Sequence, residues 1–107
     1  FRRVLFRSFI GIYPNMRAKR VDQNQKEIVA ILRNLGVSVF HLHEVGKGCP
    51  DLLCGINGHT FLVEVKMTDG KYTKAQLEFN ATWKGAQVHK ITCEKEVLAL
   101  VRSMLYS

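Results

Sequence analysis

The 107-residue chain carries 16 Lys+Arg against 9 Asp+Glu, a formal net charge of +7, and 47% of its residues are hydrophobic. That balance fits one small folded domain and is compatible with a polyanionic partner without specifying one. Three cysteines with no C-x-x-C pair exclude a disulfide framework, and no apolar run is long enough to span a bilayer. The expectation is therefore a protein of a reducing cytoplasm with no membrane partner.

Residues 1–15 stand apart from the rest. Phe1-Arg2-Arg3-Val4-Leu5-Phe6-Arg7-Ser8 reads as a translated sequencing adapter, so residues 1–15 are taken as a non-native lead and Met16 as the natural start. A signal peptide fits less well: Phe9-Ile10-Gly11-Ile12 is too short for its apolar region, and no small-residue cleavage site follows. Residues 16–107 then hold 13 Lys+Arg against 9 acids and are expected to form a single domain. Lys19 and Arg20 read as a flexible basic lead-in to it.

From Gln23 to Leu35, Ile28, Ile31, Leu32 and Leu35 recur at helical spacing and Gly36 supplies a stop, which predicts a helix with one buried face. Val37 to Leu42 is β-rich and runs into a glycine-containing polar loop over Gly46 to Pro50. Two further apolar runs, Asp51 to Ile56 and Thr60 to Met67, flank Asn57-Gly58, the strongest short hairpin signal. Thr73-x-x-Gln76 has the form of a capping box and opens a helix whose Ala75, Phe79, Thr82 and Trp83 share a core-facing stripe, closed by Gly85. Gln87 to Ile91 reads as a strand. After an N-cap at Thr92, Val97, Leu98, Val101, Met104 and Leu105 form the apolar stripe of a last helix. The fold class is α/β: a mixed four-stranded sheet with a central β-hairpin flanked by helices, in the order αβββαβα.

A two-residue type I′ turn at Asn57-Gly58 pairs residues whose numbers sum to 115, so Asp51 faces Glu64. Like charges directly opposite in a sheet repel unless a cation neutralises them. Strand alternation places Leu62, Glu64 and Lys66 on one face, and Phe61, Val63, Val65 and Met67 on an apolar core face. If helices also cover the first face, Glu64 and Lys66 line a cleft. Hydrolysis of a phosphodiester suits such a cleft, because a hard dication on oxygen ligands neutralises phosphate oxygens and activates water. The expected ligands of Mg²⁺ or Mn²⁺ are Asp51, Glu64 and the Val65 backbone carbonyl. Lys66 would orient the water or stabilise developing charge, and no small-molecule cofactor is implied.

Pro50-Asp51, a twelve-residue gap and Glu64-Val65-Lys66 resemble the PD-(D/E)XK nuclease pattern. Together with Gly48-Cys49-Pro50-Asp51-Leu52-Leu53, Leu62-Val63-Glu64-Val65-Lys66 and Thr73-x-x-Gln76, the chain resembles the virus-type replication-repair nuclease (VRR-NUC) branch over nearly all of Met16 to Leu105. The resemblance implies a restriction-endonuclease-like fold and a metal-dependent DNA endonuclease, in a stand-alone phage-like form acting in bacteria or a phage-infected host. Branched or four-way-junction DNA is an implied substrate, and cutting both strands would call for a homodimer. It further implies an acidic residue on the first helix, matched by Glu27, and a helix glutamine near the site, matched by Gln76. Lys71 and Lys74, on the segment that approaches DNA, would contact phosphates, and Lys47 in the glycine loop is a further candidate.

Two alternatives stand beside that reading. One is a nucleic-acid-binding module that keeps the fold without catalysis. The other is a small zinc protein using His41, His43, Cys49 and Cys54, although H-x-H followed by C-x₄-C is not a recognised ligand spacing, and the hairpin register turns Cys54 toward the core. Tyr72, beside two lysines at a helix start, is a candidate for base stacking.

Overall fold

The computed structural model describes residues 16–106; the reading of residues 1–15 as a non-native lead lies outside the described residues. The elements are α1 (Met16–Asn34), β1 (Ser38–His41), β2 (Leu52–Ile56), β3 (His59–Val65), α2 (Lys74–Thr82), β4 (His89–Ile91) and α3 (Glu94–Leu105). They form one sheet in the order β1-β2-β3-β4, antiparallel from β1 to β3 and parallel between β3 and β4. A mixed α/β sheet with a central hairpin is thus observed among the described residues.

The hairpin register follows from its turn. Asn57 (φ 53°) and Gly58 (φ 80°) are both left-handed, as a type I′ turn requires. The pairs run from Ile56–His59 to Leu52–Val63. The Asn57 side-chain amide also donates to the Met104 carbonyl at 3.2 Å, tying the turn to the end of α3.

One face of the sheet carries the core. Leu52, Cys54, Phe61, Val63, Val65 and Ile91 project from it against Ile28, Val29 and Leu32 of α1 and against Val97 and Val101 of α3. On the opposite face lie α2, which buries none of its own residues, and the first turns of α1.

Several sequence expectations are corrected here. Lys19 and Arg20 belong to α1, which begins at Met16 rather than near Gln23. Phe79 and Trp83 do not enter the core: Trp83 remains 45% exposed and stacks on Phe79 with ring centroids 5.2 Å apart. The apolar spacing on α2 was real, but the sheet presents Glu64 and Lys66 to that helix, leaving no apolar surface to receive it. Helix α2 ends at Thr82 with Trp83 as its C-cap, ahead of Gly85. At the start of α3 the N-cap is Cys93, without a side-chain bond. Thr92 instead donates its N–H and hydroxyl to the Glu96 carboxylate, at 2.6 and 2.9 Å. Leu98 and Leu105 lie outside the buried stripe, where Leu100 and Met104 pack with Val97 and Val101.

Candidate metal and catalytic centre

Asp51 ends the loop that precedes β2, one step beyond the last hairpin pair, so the same register sets it across from Glu64. Its Oδ2 accepts the Val65 N–H at 2.8 Å. That bond shows which edge of β3 position 65 faces, because N–H and C=O of one strand residue point to the same side. The register would place residue 50 opposite Val65, and Pro50 has no N–H to offer the Val65 carbonyl. The carbonyl therefore faces the Asp51 edge without a ladder donor. This gives Pro50, which is fully buried, a physical reason to precede Asp51.

Among the described residues Glu64 is the charged residue of the interior, only 3% exposed. Burial pushes its carboxyl up to about 8; the neighbouring Asp51 carboxylate adds to this by charge and hydrogen bonding, against the opposing pull of Lys66. Lys66 Nζ lies 4.0 Å from Glu64 Oε2 and donates to Gln76 Oε1 at 2.8 Å.

Gln76 performs two tasks at once. Its Oε1 accepts the Thr73 N–H at 2.9 Å while its own N–H bonds Thr73 Oγ1 at 3.1 Å, closing the capping box that starts α2. Its Nε2 donates to Glu64 Oε2 at 3.0 Å. The residue that begins the helix therefore also fixes the rotamers of Glu64 and Lys66, and the two readings of Gln76 are one arrangement.

These groups open into a depression of about 340 Å³ whose far wall comes from Arg17, Val21 and Gln25 of α1. Lys71 lines it too. Lys74 is exposed on the first turn of α2, and Lys47, also exposed, sits at φ 57° between Gly46 and Gly48. Glu27 is not brought to this place: it is exposed, hydrogen-bonded by Gln23 Nε2 at 3.2 Å, and lines a separate hollow with Arg20, Asn24 and Thr92. The α1 position facing the carboxylates is Gln25. Sequence reasoning missed Arg17, Val21 and Gln25, although they extend the buried stripe of α1 backwards in steps of four. It also missed Asn24, whose Nδ2 reaches the Lys66 and Thr92 carbonyls at 3.2 and 3.4 Å and joins the ends of β3 and β4 to α1.

The donor set suits a hard divalent cation: two carboxylates and a carbonyl, all oxygen, with a cavity that leaves room for water. Among the described residues no three His, Cys, Asp or Glu side chains converge, so a bound ion would rest on this pair. The zinc arrangement is not assembled. Cys54 is buried on the core face, whereas His41 and His43 are exposed with rings 6.0 Å apart.

Gly48 joins the loop to the site. At φ 78° its Cα lies against the Ala75 carbonyl, and a Cβ would come within 2.8 Å of Gln76 N. Gly48→Ala is expected to cost about 2–4 kcal/mol of stability from backbone strain and overpacking. Because it displaces Gln76, it should also lower any activity of the centre at least ~10-fold. Gly46, at φ 72° with open space where a Cβ would project, is the control and should lose only about 1 kcal/mol as Gly46→Ala. Urea unfolding of both variants distinguishes the two cases.

No protein-family model, curated protein or solved structure matches this chain.

Proposed function

We propose that the protein is a metal-dependent nuclease that hydrolyses phosphodiester bonds in DNA, with a restriction-endonuclease-like fold of the VRR-NUC type. The observation that carries this reading is the buried Glu64 carboxylate held beside Asp51, with the Lys66 ammonium 4.0 Å away in an open depression. Two carboxyls held side by side resist ionising together, and a bound cation would let both ionise.

Asp51, Glu64 and the Val65 carbonyl would hold Mg²⁺ or Mn²⁺, which when bound neutralises the phosphate oxygens and acidifies a water. Lys66, held by Gln76, would donate to a phosphate oxygen or to the attacking water as charge develops. Gln76, through its 3.0 Å bond to Glu64 Oε2, would hold that carboxyl in place for the cation. Lys71 on the cavity wall, with Lys74 and Lys47 at its margin, would contact neighbouring phosphates. A single centre per chain cuts one strand, so cleavage of both strands would require a symmetric pair of chains. Among the described residues no helix is long and apolar enough to cross a membrane. A nuclease of this type would meet its DNA in the cytoplasm of a bacterium or phage-infected host.

The test is incubation with end-labelled linear duplex, single-stranded, flap and four-way-junction DNA at one stated salt concentration. Cleavage in Mg²⁺ or Mn²⁺, its loss in EDTA and its absence in Ca²⁺ are the expected results. Binding of these DNAs without hydrolysis in either metal would leave a non-catalytic binding module instead.

A further inference from the structure

Beside the carboxylates lies a second feature that metal chemistry does not use. The parallel register of β3 and β4 pairs Glu64 with Lys90, so both side chains leave the same face of the sheet. Lys90 Nζ sits 5.8 Å from the centroid of the Tyr72 ring, and Lys66 Nζ sits 5.6 Å from the same ring. Lys66 has Gln76 and Glu64 as partners; for Lys90 no carboxylate lies within ion-pair distance among the described residues. Tyr72 thus spaces two ammonium groups, one engaged at the centre and one without a counter-ion.

Tyr72 also walls a groove of about 460 Å³ with Asn80, Trp83, Gly85, Gln87 and Val88. Burial raises the Tyr72 hydroxyl above its ordinary pKa, and Asn80 beside it opposes the rise. Trp83 is fixed: its ring stacks on Phe79, its Nε1 donates to the Ala86 carbonyl at 3.0 Å, and a Cβ at Gly85 would come within 2.7 Å of the indole. Two immobilised aromatic walls and two carboxamides that can donate and accept match the flat faces and polar edges of a nucleobase. Residues 71–90 carry four lysines against one acid, Glu78, which suits a polyanion rather than a second basic chain.

We propose that the Tyr72–Trp83 groove takes an unpaired nucleobase of the substrate strand, with Lys90 on the phosphate next to it. The proposal rests on reading Asp51, Glu64 and Lys66 as a nuclease centre, and it identifies the substrate class as DNA with an unpaired base beside the cut.

Trp83 is the single tryptophan of the chain and reports on the groove directly. Titrating the full chain in EDTA with a twelve-nucleotide oligothymidylate should quench its fluorescence, and an abasic oligomer of equal charge should bind at least about five-fold more weakly with little quenching. Tyr72→Ala should weaken oligothymidylate binding by a similar factor while Tyr72→Phe restores it. Lys90→Gln should weaken both oligomers and flatten the salt dependence by about one phosphate contact. Should Tyr72→Ala fail to fold, the abasic comparison and Lys90→Gln decide the matter. Equal binding and quenching by the abasic oligomer would overturn the proposal, as would concentration-dependent self-association that buries Trp83. Because no cleavage is measured, the two readings fail separately: base-dependent quenching without nuclease activity removes the centre, and cleavage without base dependence removes the groove.

Discussion

Asp51→Ala lowers Mn²⁺-dependent DNA cleavage by on the order of 10³-fold if the nuclease reading holds, and Lys66→Ala lowers it by about 10²–10³-fold, measured as single-turnover rates on the preferred substrate. The two losses have different causes. Asp51 would contribute a ligand, so its removal lowers metal affinity, and saturating Mn²⁺ should recover part of the rate. Lys66 would contribute a charge used only as the reaction proceeds, so added metal should not restore its loss. Asp51 also accepts the Val65 N–H at 2.8 Å, which makes Asp51→Asn the gentler variant: it keeps an acceptor there while removing the charge. Wild-type rates in both alanine variants would show that the centre lies elsewhere.

Glu64→Gln should make the metal-free protein more stable while abolishing cleavage. Burial and Asp51 push the Glu64 carboxyl up to about 8 from an ordinary value of 4.5. Between those values the folded chain holds a proton that the unfolded chain has released, so stability falls as pH rises through this window. The whole loss is reached once pH exceeds the folded value. In EDTA at pH 8.5 the wild type should therefore be less stable than Glu64→Gln by about 2–4 kcal/mol, and the gap should close near pH 4. Saturating Mn²⁺ should reverse the order, because a ligand that binds only the folded state stabilises it. Urea midpoints across pH, with and without metal, read both effects. A wild type as stable as the variant at pH 8.5 in EDTA would mean that ionising Glu64 costs the folded state nothing.

These two effects centre on residues that were legible in the sequence for a definite reason. Asn57-Gly58 admits essentially one tight turn, the turn sets the register, and the register sets Asp51 across from Glu64. Thr73 and Gln76 were equally legible as a cap, because a capping box is local; that the same amide reaches Glu64 and Lys66 depends on tertiary placement. Elsewhere the periodic signal identified a stripe but not what would meet it. Phe79 and Trp83 align on α2, yet the sheet face beneath carries Glu64, Lys66 and Lys90. Glu27 matched an expected acidic position by resemblance, while the direction of α1 turns Gln25 to the carboxylates. Reading α1 only from Gln23 hid Arg17 and Val21, which lack the apolar density that marks the helix further on. Thr92 looked like a cap because its residue type favours one, but Glu96 reaches back to bond it from inside the first turn.

The most direct test of the centre is calorimetric titration of MnCl₂ into the metal-free wild type and into a chain bearing both Asp51→Asn and Glu64→Gln. One ion per wild-type chain, with no measurable uptake by the doubly substituted chain, is the predicted result. Uptake of equal stoichiometry and affinity by both proteins would contradict it, since the two opposed carboxylates could not then be the place where the cation binds.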